Sequence, residues 1–376
     1  MGQEGFVKAL TSFILLTLVA GTACAPLTAF KGQPQVLPSA AVDSARKYVG
    51  ALVERERLPG LAVTVSIGDD GRPAVWGEGF GFADAEARTP ATAETQFRVG
   101  SVSKLLTATA LMRLSQTGVV DLDTPIANYM SALPPPVRDI TLRQLAGHLA
   151  GIRHYRGNEF LSNVQYETLG DAATVFLGDT LVAVPGRRYS YSSYGYNLIG
   201  AVLESVLGAS FPEVIHRNLT APLEMRATSP DLKGKPIPQR ARTYSVTATG
   251  VAPTPEDNLS GRWPSGGYLS STNDLARLGR AVLAPGLLTS ASLTFMVTPQ
   301  RLESGDETSV GIGWRVSTDP RGRKYLHHGG SSNGGAAFLL VYPKEQLVVA
   351  MASNAFAQWG ERDALAIAAI FLGSSR

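Results

Sequence analysis

Strand-forming segments lie near both ends of this chain, and a long helical stretch separates them. Leu61–Ile67 is rich in β-branched residues, and Ala74–Gly81 follows it after the turn signal Asp69-Asp70-Gly71, which predicts a hairpin. Four more strands are predicted towards the other end, at Gly311–Val316, Lys324–His328, Ala336–Tyr342 and Leu347–Ser353. Helical patterns dominate from 101 to about 225. The sequence therefore predicts an α+β fold, in which an antiparallel sheet is flanked by helices and a mostly helical subdomain is inserted between its strands.

Helix patterns and punctuation residues divide the chain further. Helices are predicted at 41–56, from Ser101 to Gly118, after a capping box of Thr141 and Gln144, at 171–177 and 196–207, from a cap at Ser271 or Thr272 to Leu283, and at 359–372. The domain 41–376 then consists of an α/β part, about 41–96 and 266–376, and a helical part, about 97–265. Residues 25–40, with little periodicity, are interpreted as a linker.

Residues 1–24 are predicted to be a signal peptide. Their apolar core, Phe13–Ala20, is too short for a comfortable membrane span. Gly21-Thr22-Ala23-Cys24 resembles a bacterial lipobox, in which the cysteine becomes the lipidated first residue. Cleavage after Ala25 is the alternative, although it would place a proline at the new N-terminus. We therefore expect an exported protein, either periplasmic or anchored to the membrane through a lipid on Cys24.

The composition argues against several classes of function. The 376 residues carry a formal net charge of +3 with no basic stripe, so no nucleic-acid partner is expected. The five histidines form no H-E-x-x-H motif and the single cysteine belongs to the signal segment, so neither a metal site nor a cofactor is expected. His148 and His154 flank Gly151 and are expected to have structural roles. The sequence does not predict an oligomeric state.

Ser101 and Lys104 form an S-x-x-K pair at the start of a mostly apolar run, Leu105–Leu114. Three residues apart on a helix, the two side chains share a face and can meet. Burial disfavours a charged lysine, so this apolar setting would let Lys104 take the serine proton and activate the hydroxyl as a nucleophile. A second match, Ser44 and Lys47, has charged neighbours that indicate the solvated face of a helix. Only the match at Ser101 and Lys104 predicts a catalytic pair.

Two further segments carry groups that suit acyl transfer. Tyr189–Tyr196 alternates aromatic and hydroxyl residues ahead of a helix, and a phenol near a lysine can act as a base, although tyrosines commonly serve only in packing. His327–Gly335 ends a strand with glycines, where backbone N–H groups can donate to an oxyanion; a plain turn is the alternative. Residues 330–334 match G-x-S-x-G, but a strand follows them and no histidine lies beyond His328, so no nucleophile elbow is expected.

The three motifs, in the order S-x-x-K, Tyr-Ser-x and His-x-Gly, resemble those of the serine β-lactamase and penicillin-binding-protein superfamily. Three stretches are similar to its class C-type branch, and most similar to the serine β-lactamase-like peptidases of mitochondria: Leu145–Tyr155, Tyr191–Tyr196 and Pro264–Leu275. The resemblance covers about 45–376 and implies a β-lactamase/transpeptidase-like fold.

The resemblance also implies roles for individual residues. Ser101 would be the acylated nucleophile, and Lys104 would accept its proton. Tyr191 would be a second general base. The backbone N–H groups of Ser101 and Ser331 would be the oxyanion donors.

The substrate-binding positions depart from the family pattern. Ser193 occupies the place of an asparagine that binds the substrate amide or the lysine, and His328-Gly329-Gly330 replaces Lys-Thr-Gly. The loss of both the lysine and the threonine weakens the expectation of efficient β-lactam hydrolysis. The resemblance then implies a serine hydrolase that acts through an acyl-enzyme on peptides, including D-Ala-D-Ala types, or on small esters. A class C-like β-lactamase is one alternative, and a non-catalytic or filament-forming protein is an alternative of another class.

Overall fold

A computed structural model describes residues 36–69, 73–247 and 250–373 of the chain. Pro34–Arg376 forms a compact unit. The predicted signal peptide 1–24, with its Cys24, and residues 25–35 of the predicted linker lie outside the described residues. The predicted boundary between an α/β part and a helical part therefore falls within one compact unit and stays a prediction.

Ten α-helices lie in the described ranges. They are α1 Ser39–Glu56, α2 Ser103–Gln116, α3 Leu142–Ala146, α4 Leu169–Leu177, α5 Ser193–Leu207, α6 Phe211–Ile215, α7 Trp263–Gly266, α8 Thr272–Ala281, α9 Ser290–Val297 and α10 Glu361–Gly373. The predicted caps are present, because the hydroxyls of Thr141 and Ser271 accept N–H groups three residues on, at 3.2 and 3.1 Å. α1 begins inside the predicted linker, since Ala41 is already buried against the domain.

Thirteen strands lie in the same ranges. They are β1 Gly60–Ile67, β2 Ala74–Asp84, β3 Thr89–Pro90, β4 Phe97–Arg98, β5 Ser229–Pro230, β6 Tyr244–Thr247, β7 Gly250–Pro253, β8 Tyr268–Ser270, β9 Arg315–Thr318, β10 Lys324–Ser332, β11 Gly335–Tyr342, β12 Leu347–Ser353 and β13 Ala355–Phe356. Seven of them form an antiparallel sheet in the order β3-β2-β1-β12-β11-β10-β9. Leu61 lies opposite Ser353, so β1 and β12 join the two ends of the chain as predicted.

Side chains of the large sheet alternate between two hydrophobic cores. Leu61, Val63 and Val65 of β1 face the same core as Val349 and Met351 of β12, and this core includes apolar residues of α1 and α10. The intervening Ala62, Val348 and Ala350 belong to the second core, with Leu275 and Leu278 of α8 and most of the helical block. Helices therefore cover both faces of the sheet, and its central strands are buried throughout.

One predicted strand, Gly311–Val316, is wrong over its first four residues. β9 begins only at Arg315, because the N–H of Gly311 bonds to the carbonyl of Trp314 at 2.9 Å and Gly313 has a φ of +82°. These contacts form a tight turn rather than an extended strand. The apolar residues of this predicted strand, Ile312 and Trp314, lie in the turn instead, and both are buried in the core around α2.

A small sheet, β4-β8-β5, positions the chain just ahead of α2. Phe97 pairs with Ser270 and Arg98 with Leu269. The N–H of Val99 continues this contact by bonding to the carbonyl of Tyr268 at 3.1 Å. The segment that leads into Ser101 is thereby held beside the segment that follows α7, although more than half of the domain separates them in sequence.

In the portion of the chain that is described, no single helix is both long and apolar enough to span a membrane. One sharply bent pair, Ser193–Leu207 and Phe211–Thr220, passes the test by length and composition alone. α5 is in fact a core helix, because its residues from Ser193 to Leu203 are buried. No group of three or more His, Cys, Asp or Glu residues in that portion could hold a metal ion.

Candidate active site

Ser101 lies in a single 3₁₀ turn, Gly100–Val102, that leads directly into α2. The predicted helix therefore begins in this tighter form. Gly100 has a φ of +49°, and a Cβ at this position would lie 2.5 Å from the carbonyl oxygen of Ser331. Only glycine combines this conformation with such a close approach of two backbones. The serine hydroxyl is consequently held at the N-terminal end of α2, where developing negative charge is favoured.

Lys104 is fully buried in the first turn of α2, and its amine contacts three oxygen atoms. Nζ lies 3.2 Å from Ser101 Oγ, 3.1 Å from Ser193 Oγ and 2.7 Å from the carbonyl oxygen of Ser265. Burial lowers the pKa of Lys104, an effect that Tyr191 opposes in part. A neutral amine has two N–H donors and one lone pair, so it can donate to Ser265 and Ser193 and accept the Ser101 proton.

Tyr191 faces Lys104 across Ser101, on the loop that precedes α5. Its hydroxyl donates to Ser101 Oγ at 2.9 Å. The hydroxyls of the other three tyrosines in this segment, all of them described, have different partners: Tyr189 contacts Arg315, Tyr194 donates to Glu159, and Tyr196 donates to the carbonyl of Ala146. The structure thus selects one tyrosine where composition left four open.

The pKa of Tyr191 lies below its ordinary value of 10.0. Burial acts to raise it, but the charge of Lys104, the hydrogen bonds with Lys104 and Ser101, and the charge of Arg315 outweigh burial. This lowering requires a charged Lys104, whereas burial favours the neutral amine. The protonation of the two groups is therefore coupled, and either one, as the neutral amine or the phenolate, can serve as the base for Ser101.

Two histidines, the buried His148 and the more exposed His154, hold the loop that carries Tyr191. His148 Nδ1 accepts the N–H of Ser192 and His154 Nδ1 accepts the N–H of Ser193, each at 3.2 Å. Burial, reinforced by the charge of Lys104, lowers the pKa of both rings, to about 4 for His154. The rings stay neutral at physiological pH, so their lone pairs remain available as acceptors. The structural roles expected for both histidines are present, but the sequence had not related them to the tyrosine loop.

The open edge of β10 runs beside the Ser101 turn. β9 pairs with β10 only from Lys324 to His327, so the edge from His328 onwards is free of that neighbour. A Cβ at Gly330 would lie 2.8 Å from the backbone nitrogen of Ser101, and one at Gly100 would lie 2.6 Å from that of Ser331. The two predicted oxyanion donors, Ser101 and Ser331, are therefore brought close together. The strand predicted to follow the G-x-S-x-G match is present, because β11 begins at Gly335, soon after the central Ser332 of the match, and not a helix as a nucleophile elbow would need.

His328 is buried next to Tyr191, with their ring centroids 6.5 Å apart. Its Nδ1 lies 2.7 Å from the carbonyl oxygen of Gly329, which can only accept, so the proton belongs on Nδ1. Nε2 is then a buried acceptor with no hydrogen-bond partner among the described atoms. Burial lowers the pKa of His328 well below its usual value, so this position of the motif supplies a neutral ring where the family has a lysine.

A buried ion network anchors the strand before the nucleophile to the β10–β11 hairpin. Arg98, almost completely inaccessible, donates to Asp231 at 2.6 Å, to Asp257 at 2.8 Å and to the carbonyl of Asn333 at 2.9 Å. The amide of Asn333 donates to Asp257 at 3.2 Å. Removing one partner from a buried network of this kind would be strongly destabilising, because it leaves an uncompensated buried charge. Sequence analysis missed this network; its only signal was an arginine between the apolar residues Phe97 and Val99.

A cleft of about 490 Å³ opens beside Ser101. Its lining includes every predicted site residue of the domain except Lys104, which lies beneath it: Ser101, Tyr191, Ser193, His328, Gly329, Gly330 and Ser331. Arg315, which the sequence did not single out, also lines it, with its guanidinium 5.6 Å from the centre of the Tyr191 ring. The predicted residues are thus brought together, and their individual roles remain predictions.

The fold is an antiparallel sheet between helical layers, and a serine, a buried lysine and a tyrosine meet at the N-terminal end of one helix. Together these features define the class of serine β-lactamases and penicillin-binding proteins. The Beta-lactamase family matches residues 45–372, and this chain belongs to that family. Its members include β-lactamases, penicillin-binding proteins and amidohydrolases, which are serine hydrolases. The resemblance inferred from the motifs is therefore confirmed.

Individual relatives also support membership of this family. The chain is 26% identical over 400 residues to the human "Serine beta-lactamase-like protein LACTB, mitochondrial", covering 81% of this chain and 72% of that protein. The octameric penicillin-binding protein homologue from Pyrococcus abyssi has the same fold, with a TM-score of 0.76 at 24% identity, covering 88% of this chain and 77% of the other. A D-stereospecific amidohydrolase from Streptomyces sp. superposes with a TM-score of 0.71 at 25% identity, covering 89% and 99%.

Proposed function

We propose that this protein hydrolyses peptides, including D-Ala-D-Ala types, or small esters through an acyl-enzyme on Ser101. The observation that carries the proposal is the convergence of two bases on one hydroxyl. Lys104 Nζ lies 3.2 Å and Tyr191 OH 2.9 Å from Ser101 Oγ. A serine becomes nucleophilic only when a base takes its proton, and here two candidates share that task.

The reaction follows from these contacts. Ser101 Oγ attacks the carbonyl carbon while its proton passes to the Lys104 amine or the Tyr191 phenolate. The oxyanion that forms accepts hydrogen bonds from the backbone N–H groups of Ser101 and Ser331. The tetrahedral intermediate collapses, the leaving group takes the proton that the base accepted from Ser101, and the acyl group stays on Oγ. Water then attacks the ester, aided by the same bases, and Ser101 is restored.

Two features of the cleft bear on how the carboxylate of a peptide substrate would be bound. The neutral His328 replaces the lysine that the family uses, so that contact with a substrate carboxylate is lost. Arg315 offers a replacement, since its guanidinium lines the cleft and no carboxylate of the described chain pairs with it. Arg315 is well suited to a peptide carboxylate, which it can bind through two parallel hydrogen bonds. A D-stereospecific amidohydrolase among the structural neighbours also supports this substrate class.

A substrate panel with intact-mass detection tests the proposal. The purified domain is incubated separately with a nitrophenyl ester, a D-Ala-D-Ala peptide and a cephalosporin. We expect turnover of the ester or the peptide, a transient acyl adduct, and much slower turnover of the cephalosporin. A stable adduct without turnover would instead indicate a penicillin sensor. Rapid cephalosporin hydrolysis would indicate a class C-like β-lactamase, and no adduct with any compound would favour the non-catalytic or filament-forming alternative.

Export and lipid anchoring form a separate part of the proposal, supported by Gly21-Thr22-Ala23-Cys24. The Cys24→Ser variant, expressed with its signal segment in a bacterial host, is expected to move from the membrane fraction to the soluble exported fraction, because the thiol that would carry the lipid is gone. Fractionation and intact mass of the mature N-terminus measure this. An equal membrane fraction for variant and wild type would contradict anchoring at Cys24.

A further inference from the structure

The cleft extends beyond the catalytic groups, across β10 and β11, to the start of α10. Its wall there is aromatic and comprises Phe338, Phe356 and Trp359. Phe356 is 60% exposed, which is unusual for a large apolar side chain in a concave site. The rings of Phe338 and His327 are stacked with centroids 5.7 Å apart, which adds a further ring beside this wall. It is available to a ligand that enters from the Ser101 side.

A carboxylate ends this part of the cleft. The side chain of Glu361 is 43% exposed, and its Oε1 accepts a hydrogen bond from Tyr325 at 2.5 Å. His327 Nε2, at 3.8 Å, is the only basic nitrogen within ion-pair distance in the described chain. Burial lowers the pKa of His327, so its ring is neutral at physiological pH, and Nε2 is already hydrogen-bonded to Ser317. Glu361 therefore lines the cleft as a carboxylate that has no lysine or arginine partner among the described residues.

The cleft lining also includes a positive charge, that of Arg315. Arg315 is the cross-strand neighbour of His327, and its guanidinium is directed to the Tyr191 ring. A ligand with a carboxylate alone would satisfy Arg315 and leave Glu361 unpaired. A ligand that also carries a positive group would satisfy both.

We propose that Glu361, Phe356 and Trp359 form a subsite for an ammonium group of a peptide substrate. This inference rests on the proposed function and narrows its substrate class to peptides that bear a free amine. The carboxylate would form the ion pair, while the aromatic rings would contact the methylene stem and, through their faces, the charge itself. Arg315 would bind the carboxylate of the same substrate.

Two matched substrate pairs test the subsite on either side of the scissile bond. Acetyl-D-Ala-D-Lys is compared with acetyl-D-Ala-D-norleucine, and D-Ala p-nitroanilide with its N-acetyl derivative. We expect wild type to favour the ammonium-bearing member of at least one pair by about 5- to 10-fold in kcat/KM. Glu361→Gln should lose that preference and keep its rate on the neutral member. Glu303→Gln, a control on an exposed carboxylate outside the cleft lining, should retain it.

Binding separates this inference from the proposed function. Calorimetry with the two acetylated peptides and a Ser101→Ala background measures the same preference without turnover. No preference in wild type, or one that survives in Glu361→Gln, would overturn the subsite. A Glu361-dependent preference in binding, together with no hydrolysis by wild type, would support the subsite and overturn the hydrolase proposal.

Discussion

Replacing Ser101 by alanine is expected to abolish turnover of every substrate that the wild-type protein hydrolyses, a loss of about 10³-fold or more in kcat. The same variant should not react with a fluorophosphonate probe. The reason is that the amine of Lys104 and the phenol of Tyr191 both reach this one oxygen. Ser193 also contacts Lys104, but its hydroxyl has no such contact with Tyr191.

The chain supplies a matched control for this substitution. Ser44 is the serine of the second S-x-x-K match, and it lies exposed on α1, where its hydroxyl donates to the carbonyl of Ala40 at 2.8 Å. Ser44→Ala should leave turnover and probe labelling unchanged. If Ser101→Ala were still labelled, peptide mapping would locate the labelled residue, and Ser193 as the site would contradict the assignment of Ser101.

Replacing Lys104 by methionine is expected to lower kcat by about 10²- to 10⁴-fold while the chain remains folded. Methionine has a similar length and suits the apolar surroundings of α2, but it cannot take a proton. Lys47→Met, on the exposed face of α1, is the matched control and should retain full activity. Steady-state kinetics of the three proteins measure the effect, and an active Lys104→Met would leave Tyr191 as the sole base for Ser101.

The same variant changes how stability depends on pH. Burial lowers the pKa of Lys104 in the folded protein below its ordinary value of 10.5. Between the lowered pKa of the folded protein and the ordinary pKa of the unfolded chain, the unfolded chain binds more protons than the folded protein. The free energy of unfolding of wild type therefore rises with pH across this window. The lowered pKa of Tyr191 acts in the same direction and depends on the same lysine.

Denaturant unfolding tests the direction of this pH dependence directly. From about pH 7 to pH 10, the free energy of unfolding of wild type should increase relative to that of Lys104→Met. Lys47→Met, which removes an exposed lysine, should follow wild type. A difference between wild type and Lys104→Met that stays constant over this range would mean that the Lys104 pKa is not lowered by folding.

Much of the fold was predictable because local patterns carry the signal. The β-branched run of β1, the capping box at Thr141 and the Ser271 cap appear at the predicted positions, since each depends on residues a few places apart. The exception was β9, where apolar alternation around Gly313 has two physical explanations. A strand and a buried turn both place alternate residues inside, and only the folded chain, with its Gly311–Trp314 hydrogen bond and the positive φ of Gly313, distinguishes them.

The residues of the candidate site differ in how far the sequence alone could predict their contacts. Ser101 and Lys104 lie one turn apart, so their contact follows from helix geometry. Choosing Tyr191 among its neighbours required the resemblance to a known family, because spacing alone does not indicate which hydroxyl faces the serine. Arg315 and Glu361 could not be found from the sequence, because isolated charged residues in strands and at helix starts are ordinary on protein surfaces.

By itself the sequence determined the α+β layout, the serine–lysine pair and its apolar helix, because periodicity and short spacing act within one element. Only the tertiary structure decided that Lys104 is buried under Ser193 and Ser265, that His148 and His154 hold the tyrosine loop, and that the β10 edge meets the Ser101 turn. These contacts join segments from 39 to more than 200 residues apart. Burial and charge pairing depend on which segments meet in space, and that is a property of the folded chain.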